Sequence, residues 1–159
     1  MIIMTHEDFM QNAFDEASKG IRNDLGGPFG AIVVYDGKII GKGCNMVTSL
    51  NDPSAHAEIV AIREACKNQN NFHLTNAVIY TTCEPCPMCL AAIYWADIKK
   101  IYYSSDRNDA EKIGFGDKFI YDEFSKDMNE RSIGIERLVM PNADNLFEEW
   151  ILKEDKTLY

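Results

Sequence analysis

Two short stretches, His56-Ala57-Glu58 and Pro85-Cys86-Pro87-Met88-Cys89, decide how this chain is organised. One histidine and two cysteines three residues apart offer three ligands that suit Zn²⁺, whose tetrahedral geometry then keeps a fourth position for water. Glu58 follows the histidine by two residues and is placed to take a proton from that water. The two stretches therefore predict one catalytic zinc ion per subunit, bound by His56, Cys86 and Cys89, with Glu58 as proton carrier.

A zinc ion that only stabilises the fold is normally closed by a fourth protein ligand. Cys83 and Cys44 are the natural candidates for that ligand. We favour the open site, because a closed site leaves Glu58 without a task. Cys83, Cys44 and Cys66 are then expected to be small core residues.

The composition indicates one globular domain over residues 1–159, with enough apolar residues for a sizeable core. The formal net charge of −9 and the pI near 4.8 repel nucleic acid and acidic membrane surfaces. A small neutral molecule is the better expectation for a partner.

The five cysteines, three of them within 83–89, are typical of a protein kept reduced. The stretch Met1-Ile2-Ile3-Met4 is too short for a signal peptide and lacks a basic lead. No apolar run reaches the length of about 18 residues that a membrane span needs. We therefore expect a cytoplasmic protein without a membrane-spanning segment.

The N-terminal half predicts a helix, a hairpin and a second helix. Thr5 and Asp8 form a capping-box pattern ahead of helically spaced apolar residues. Asp36-Gly37 suits the tight turn of a hairpin with strands at 31–35 and 38–45. Asp52, as N-cap before Pro53, is expected to begin a helix whose first turns carry His56 and Glu58.

The C-terminal half predicts a strand at 77–82, then a helix that Pro85 and Pro87 open and that runs through Trp95. A strand at 99–103 follows a helical crossover and is expected to lie parallel to the strand at 77–82. The pattern then weakens before a last strand at 133–138 and a closing helix at 144–154. The N-termini of the His56 helix and the Cys86 helix are expected to face each other across the metal ion.

Several further residues have both a binding and a structural interpretation. Asn45 suits a hydrogen bond to a purine edge or to turn backbone, and Phe29 and Trp95 suit stacking on a base or packing in the core. Asp117 suits acceptance from a ring N–H and an exocyclic amine, or plain solvation. Tyr159 lies at a terminus, where side chains are often disordered.

The chain resembles the cytidine-deaminase-like superfamily, in which His-x-Glu followed by Pro-Cys-x-x-Cys marks zinc enzymes that act on nucleobases. The resemblance covers nearly the full length and is carried by the stretches 26–31, 51–58, 83–89 and 92–96. Within the superfamily, Gly114-Phe115 with Asp117, the run 119–121 and the terminal Tyr159 resemble the guanine deaminases.

The resemblance implies an α/β fold of three layers, α/β/α, with a mixed five-stranded sheet that includes the N-terminal hairpin. It implies hydrolysis of guanine to xanthine and ammonia, and a homodimer in which the C-terminal helix and tail, 140–159, are exchanged. The substrate contacts that it implies are Phe29, Asn45, Ala57, Trp95, Asp117 and Tyr159.

Other functions remain open at this point. The zinc stretches are shared across the superfamily, so cytosine, adenine, a nucleoside and tRNA adenosine are alternative substrates. Cytidine deaminases typically place cysteine where this chain has His56, and tRNA adenosine deaminases carry basic surfaces that an acidic chain lacks. A zinc-stabilised binding module without catalysis is the alternative from another class.

Overall fold

A computed structural model describes residues 4–159 of the chain. The chain divides into two compact units, one that extends to Phe119 and one from Ile120 to Tyr159. None of the helices in the described range combines the length and the hydrophobicity needed to cross a lipid bilayer.

The first unit contains one four-stranded mixed sheet and its helices. The sheet has the order β2-β1-β3-β4, in which β1 is antiparallel to both of its neighbours and β3 is parallel to β4. The elements along the chain are α1 (His6–Arg22), β1 (Gly30–Tyr35), β2 (Lys38–Cys44), α2 (Val47–Leu50), α3 (Ala57–Gln69), β3 (Val78–Cys83), α4 (Pro87–Trp95), β4 (Lys100–Ser105) and α5 (Arg107–Lys112).

Local sequence signals account for the start of α1 and for the hairpin. The Thr5 hydroxyl accepts a hydrogen bond from the Asp8 backbone N–H at 3.2 Å, and the Asp8 carboxylate accepts one from the Thr5 N–H at 2.8 Å. Asp36 and Gly37 both have positive φ, 47° and 70°, as a tight turn between antiparallel strands requires. The predicted capping box and hairpin are confirmed.

Alternation along β1 separates the core into two halves, because successive strand side chains point to opposite faces of the sheet. Ala31 and Val33 pack in the cluster that contains residues of α3 and α4. Ile32 and Val34 pack in the cluster that contains residues of α1. Helices therefore cover both faces of the sheet, and the three-layer α/β/α prediction is confirmed.

Close packing of α3 on β2 brings the N-terminus of the helix against the sheet. A Cβ atom at Gly43 would lie 2.3 Å from the carbonyl oxygen of Ala57 and 2.6 Å from the backbone nitrogen of Ala61. Only a residue without a side chain permits this approach. Gly43 thus helps to place the stretch that begins at His56.

The second unit contains most of α6 (Lys118–Ser125), a short 3₁₀ helix (Met128–Glu130) and α7 (Ala143–Leu152). The closing helix is confirmed to within two residues at each end. The strand predicted at 133–138 is wrong, since that segment is irregular and the sheet of the described chain has four strands rather than five. The alternating pattern of Ile133 and Ile135 favours a strand, but a strand forms only where a neighbouring strand accepts its backbone hydrogen bonds.

Candidate active site

Two helices begin at the residues expected to bind metal. His56 is the N-cap of α3, with φ −69° and ψ 155°, and Cys86 is the N-cap of α4, with φ −66° and ψ 168°. Neither side chain makes a capping hydrogen bond to its own helix. Both side chains are therefore available for another purpose, at the positive ends of two helix dipoles.

The three predicted ligands lie together. The Sγ atoms of Cys86 and Cys89 are 3.5 Å and 3.6 Å from Nδ1 of His56, and the three ligand atoms all lie within 4.8 Å of one another. Zinc–sulfur bonds of about 2.3 Å and zinc–nitrogen bonds of about 2.05 Å at a tetrahedral angle place sulfur and nitrogen about 3.6 Å apart. The donor set and its spacing therefore fit a zinc ion, and the metal prediction is confirmed.

The thiols differ in how readily they ionise. A hydrogen bond from Cys89, together with the hydrogen bond to His56, lowers the pKa of Cys86 to about 4 despite burial. The hydrogen bond to Cys86, together with burial, raises the pKa of Cys89. The same contact with Cys86 raises the pKa of His56. Cys86 is thus the first thiolate of the group, and thiolate is the form that binds zinc.

The alternative of a closed structural site finds no fourth ligand in the described chain. The group of possible metal ligands there consists of His56, Cys86 and Cys89. The Cys83 thiol contacts the carbonyl oxygen of Asp106 at 3.6 Å, and burial raises its pKa to about 11. Cys44 is buried against Gly20 of α1. The interpretation of these two cysteines as core residues holds.

Glu58 lies in the first turn of α3 and is only 6% exposed. Burial is the main cause that raises the pKa of its carboxyl group, and the charge of Cys86 raises it further. A hydrogen bond with Cys89 and the charge of His56 act in the opposite direction. Glu58 is therefore a buried carboxyl group in contact with the ligand cluster, which suits a group that takes up and releases a proton.

The start of α3 differs from the prediction. The helix begins at Ala57, so Asp52 is not its N-cap. The Asp52 carboxylate instead accepts hydrogen bonds from the backbone N–H and the hydroxyl of Ser54, at 2.8 Å and 2.7 Å. This local turn competes with helix capping. It leaves the capping position to His56, which aims the imidazole at the thiols.

Asn45 is buried and held by two backbone donors. Its Oδ1 atom accepts from the N–H of Gly27 at 3.1 Å and from the N–H of Val47 at 3.2 Å. A Cβ atom at Gly26 would lie 2.2 Å from that oxygen, so the position requires glycine. The structural and the binding interpretations of Asn45 are compatible, because fixing the amide oxygen also fixes the direction of the NH₂ donor.

Phe29 is partly buried against the core cluster beneath α3 and α4. Phe115 packs edge-on against it, with ring centroids 5.0 Å apart and an interplanar angle of 88°. The backbone carbonyl of Phe29 accepts from the N–H of Asn45 at 3.0 Å, and the next residue, Gly30, donates to the buried hydroxyl of Thr82 at 3.1 Å. Phe29 is thereby tied to Asn45.

Asp117 is half-buried in the loop between α5 and α6. Burial is the first cause that raises the pKa of its carboxyl group, and the charges of Cys86 and Glu84 act in the same direction. Arg107 opposes them. Asp117 therefore lies within electrostatic range of the ligand cluster and is not a fully solvated charge.

The remaining three predicted substrate contacts, Ala57, Trp95 and Tyr159, lie in different surroundings. Ala57 is fully buried as the first residue of α3, where its N–H has no acceptor within the helix. Trp95 is the last residue of α4, about 13 Å along the helix axis from Cys86 at 1.5 Å per residue, and it is 68% exposed. Tyr159 belongs to the second unit and is exposed. Substrate contact by Trp95 and by Tyr159 stays a prediction.

Sequence reasoning missed the ion pair of Glu84 and Arg107 and the contact between Phe115 and Phe29. A signal for the helix that carries Arg107 was present, because Asp106 and Asp109 form a capping box. Nothing in the spacing distinguished Phe115 from a core aromatic.

Comparison with known families gives one match over most of the chain. The family described as the cytidine and deoxycytidylate deaminase zinc-binding region matches residues 3–105. That range contains all three candidate ligands and Glu58.

Individual relatives extend the similarity beyond that region. The chain is 46% identical to a guanine deaminase of Bacillus subtilis over 147 residues, which cover 92% of this chain and 94% of the relative. The X-ray structure of guanine deaminase from Bacillus subtilis superposes with a TM-score of 0.95 over 98% of this chain and 99% of that chain, at 45% identity.

Two further similarities are more partial. The structure of guanine deaminase from Nitrosomonas europaea matches with a TM-score of 0.68 at 28% identity, over 74% of this chain and 68% of that one. A tRNA-specific adenosine deaminase of Buchnera aphidicola is 47% identical over 88 residues, 55% of this chain and 58% of the relative.

Proposed function

Since the chain belongs to the cytidine and deoxycytidylate deaminase zinc-binding family, we propose that it is a zinc-dependent enzyme that hydrolyses guanine to xanthine and ammonia. The observation that carries the proposal is the cluster of His56, Cys86 and Cys89 at zinc-binding distances, beside the buried carboxyl group of Glu58. The similarity to guanine deaminases over nearly the whole chain supports guanine as the base.

The neutral imidazole of His56 and the thiolates of Cys86 and Cys89 would hold the metal ion. When bound at such a three-ligand site, zinc supplies a water molecule of lowered pKa. The two thiolates balance the charge of the divalent ion, and the two helix N-termini favour negative charge beside it.

Glu58 moves the protons of the reaction. It takes a proton from the attacking water and passes it to the ring nitrogen next to C2 of guanine, which makes that carbon a better electrophile. It then takes the second proton of the former water and gives it to the departing amine. One water is consumed, C2 becomes a carbonyl carbon and ammonia leaves.

Four residues of the first unit are proposed to hold the base. The NH₂ of Asn45 donates to an acceptor on the purine edge, since its oxygen is already bound by two backbone N–H groups. The Asp117 carboxylate accepts from the ring N–H and the exocyclic amine, and the ring of Phe29 stacks on the flat base. The N–H of Ala57 is a further donor at the start of α3.

The second unit supports a proposal about assembly. No residue from Ile120 to Tyr159 is buried, and α7 leaves Leu146, Phe147 and Ile151 each about two-thirds exposed. Exposed apolar clusters of this kind mark interfaces. We propose that the protein is a homodimer in which residues 140–159 are exchanged and Tyr159 closes the partner's site, while Trp95 stacks on the base as a further substrate contact.

The cell location is proposed from the thiols. All five cysteines are free, and two of them must stay reduced to bind zinc. We propose that the enzyme works in the cytoplasm, where thiols are kept reduced, as a step in purine breakdown.

The tRNA adenosine deaminases provide the second candidate function, which the match to the Buchnera protein favours over 88 residues. The net charge of −9 disfavours a polyanionic substrate. An ammonia-release assay of zinc-loaded protein separates these candidates, with guanine, adenine, cytosine, their nucleosides and tRNA as substrates. Guanine is expected to give the highest kcat/KM, and a higher value for any other substrate would contradict the proposal.

A further inference from the structure

Glu84 and Arg107 form an ion pair next to the metal ligands that the proposed mechanism does not use. The Nε atom of Arg107 donates to Oε2 of Glu84 at 3.1 Å, and its Nη2 atom donates to Oε1 at 2.5 Å. The backbone N–H of Arg107 also donates to Oε2 at 3.2 Å. This bidentate contact fixes both the distance and the orientation of the two side chains.

The pair lies where β3 and β4 end together. The N–H of Glu84 donates to the carbonyl of Ser105 at 2.9 Å, and the Cys83 thiol contacts the carbonyl of Asp106. Two residues after Glu84 comes Cys86, and Arg107 is the first residue of α5. The ion pair therefore joins the segment that carries a metal ligand to the start of α5.

The other end of α5 begins the loop that carries two candidate substrate residues. The N–H of Phe115 donates to the carbonyl of Ala110 at 2.9 Å, which continues the hydrogen bonding of α5 into the loop. Phe115 packs on Phe29, and Asp117 follows two residues later. The short helix α5 is thus a rigid link from the ion pair to Phe115 and Asp117.

We propose that the Glu84–Arg107 pair is a positioning device that sets the distance between the metal ligand Cys86 and the substrate-binding loop 113–117. The inference rests on the proposed function, since it assigns a role to that loop. Arg107 is a positioning residue, because it acts through α5 and not by contact with the reacting atoms. Loss of the pair loosens Asp117 and Phe115, which weakens binding of the base more than it changes the proton transfers of Glu58.

The bidentate contact with Glu84 requires the guanidinium group of arginine and cannot be made by lysine. A lysine at position 107 carries the charge but donates as a point, without the planar fork that binds both carboxylate oxygens. Lys112 of the same helix provides a matched control, because it makes an exposed contact with Asp109 at 2.9 Å.

The test compares zinc-loaded Arg107→Met, Arg107→Lys and Lys112→Met with the unchanged protein. For Arg107→Met, KM for guanine is expected to rise at least about tenfold while kcat stays within about threefold, because misplacement of a binding group by a fraction of an ångström weakens binding. Arg107→Lys is expected to recover only part of KM, and Lys112→Met to leave both constants unchanged. Zinc content is expected to stay at one per chain in all three variants.

A second measurement does not depend on guanine turnover. Hydrogen exchange at the Gly114 and Phe115 amides, which are bonded to Glu111 and Ala110, is expected to speed up in Arg107→Met and not in Lys112→Met. Unchanged exchange in Arg107→Met would overturn the inference, and so would lost zinc or a fall in kcat at constant KM. Failure of the unchanged protein to deaminate guanine would overturn the proposed function instead. The hydrogen-exchange rates at Gly114 and Phe115 would then still test the positioning role of the ion pair.

Discussion

Four helices of the first unit begin in two different ways. α1 and α5 begin at Thr5 and Asp106, whose side chains accept hydrogen bonds from backbone N–H groups of the first turn and so form capping boxes. α3 and α4 begin at His56 and Cys86, whose side chains make no capping bond. In α1 and α5 the N-cap side chain stabilises its own helix. In α3 and α4 the N-cap side chain is instead a candidate metal ligand.

The uncapped helices give up a known contribution to stability. A side-chain cap contributes typically about 1 kcal/mol relative to alanine, and α3 and α4 both lack it. Real proteins depart from local rules mainly at functional sites. α2 and α7 also lack a side-chain cap, but they begin at Met46 and Asn142. The uncapped starts of α3 and α4 differ from these because their N-cap side chains lie 3.5 Å apart and are both possible metal ligands.

The largest effect is expected when a capping residue replaces a ligand. His56→Ser gives α3 a preferred N-cap but removes the nitrogen ligand, so zinc is expected to be lost and deamination to fall to background while the helix content stays. Metal analysis, ammonia release and circular dichroism measure the three quantities. Thr5→Ser is the control and should change none of them. Full zinc occupancy in His56→Ser would break the distinction between the two kinds of helix start.

The next effect concerns Glu58, which lies beside the ligands without being one of them. Glu58→Gln keeps the size of the side chain but removes its ability to carry a proton, so kcat is expected to fall at least about 10²-fold. Zinc content should stay at one per chain. Glu64→Gln, at an exposed position of the same helix, should leave kcat unchanged. Near-normal turnover in Glu58→Gln would remove Glu58 from the mechanism.

A smaller effect is expected at Asn45, which is held by backbone donors near the start of α2. Asn45→Ala removes the proposed NH₂ donor to the base and the acceptor for Gly27 and Val47. KM for guanine is expected to rise about tenfold, the equivalent of one hydrogen bond of about 1.4 kcal/mol. Asn23→Ala, at an exposed C-cap, is the control. Unchanged KM in Asn45→Ala would leave Asn45 with its structural role alone.

The smallest effect is expected at a helix whose cap serves only the helix. Thr5→Ala is expected to lower the free energy of unfolding by about 1 kcal/mol, with zinc content and kcat/KM unchanged. Urea unfolding of the zinc-loaded protein measures this difference. A loss of zinc in Thr5→Ala would show that the two kinds of helix start are coupled.

The sequence was sufficient for the features that local chemistry dictates. The capping box at Thr5 and the Asp36-Gly37 hairpin follow from patterns of adjacent residues. The parallel pair of β3 and β4 follows from the helical crossover between the two strands. The ligand set follows from the spacing within the two metal-binding stretches. The fold brings these stretches together because His56 and Cys86 each directly precede a helix that packs on the same sheet face.

The errors arose where a local pattern competes with another contact. Asp52 has the form of an N-cap, but its carboxylate is used by Ser54. Ile133 and Ile135 alternate as in a strand, but no neighbouring strand in the described chain pairs with them. The pairing of Glu84 with Arg107 joins residues 23 positions apart, and spacing alone does not reveal such a contact.

X-ray absorption at the zinc edge, on active protein, tests the central claim most directly. The account predicts one zinc per chain with two sulfur ligands at about 2.3 Å, one nitrogen ligand from His56 and one oxygen ligand from solvent. A third sulfur ligand, or full activity in protein without a metal ion, would contradict it.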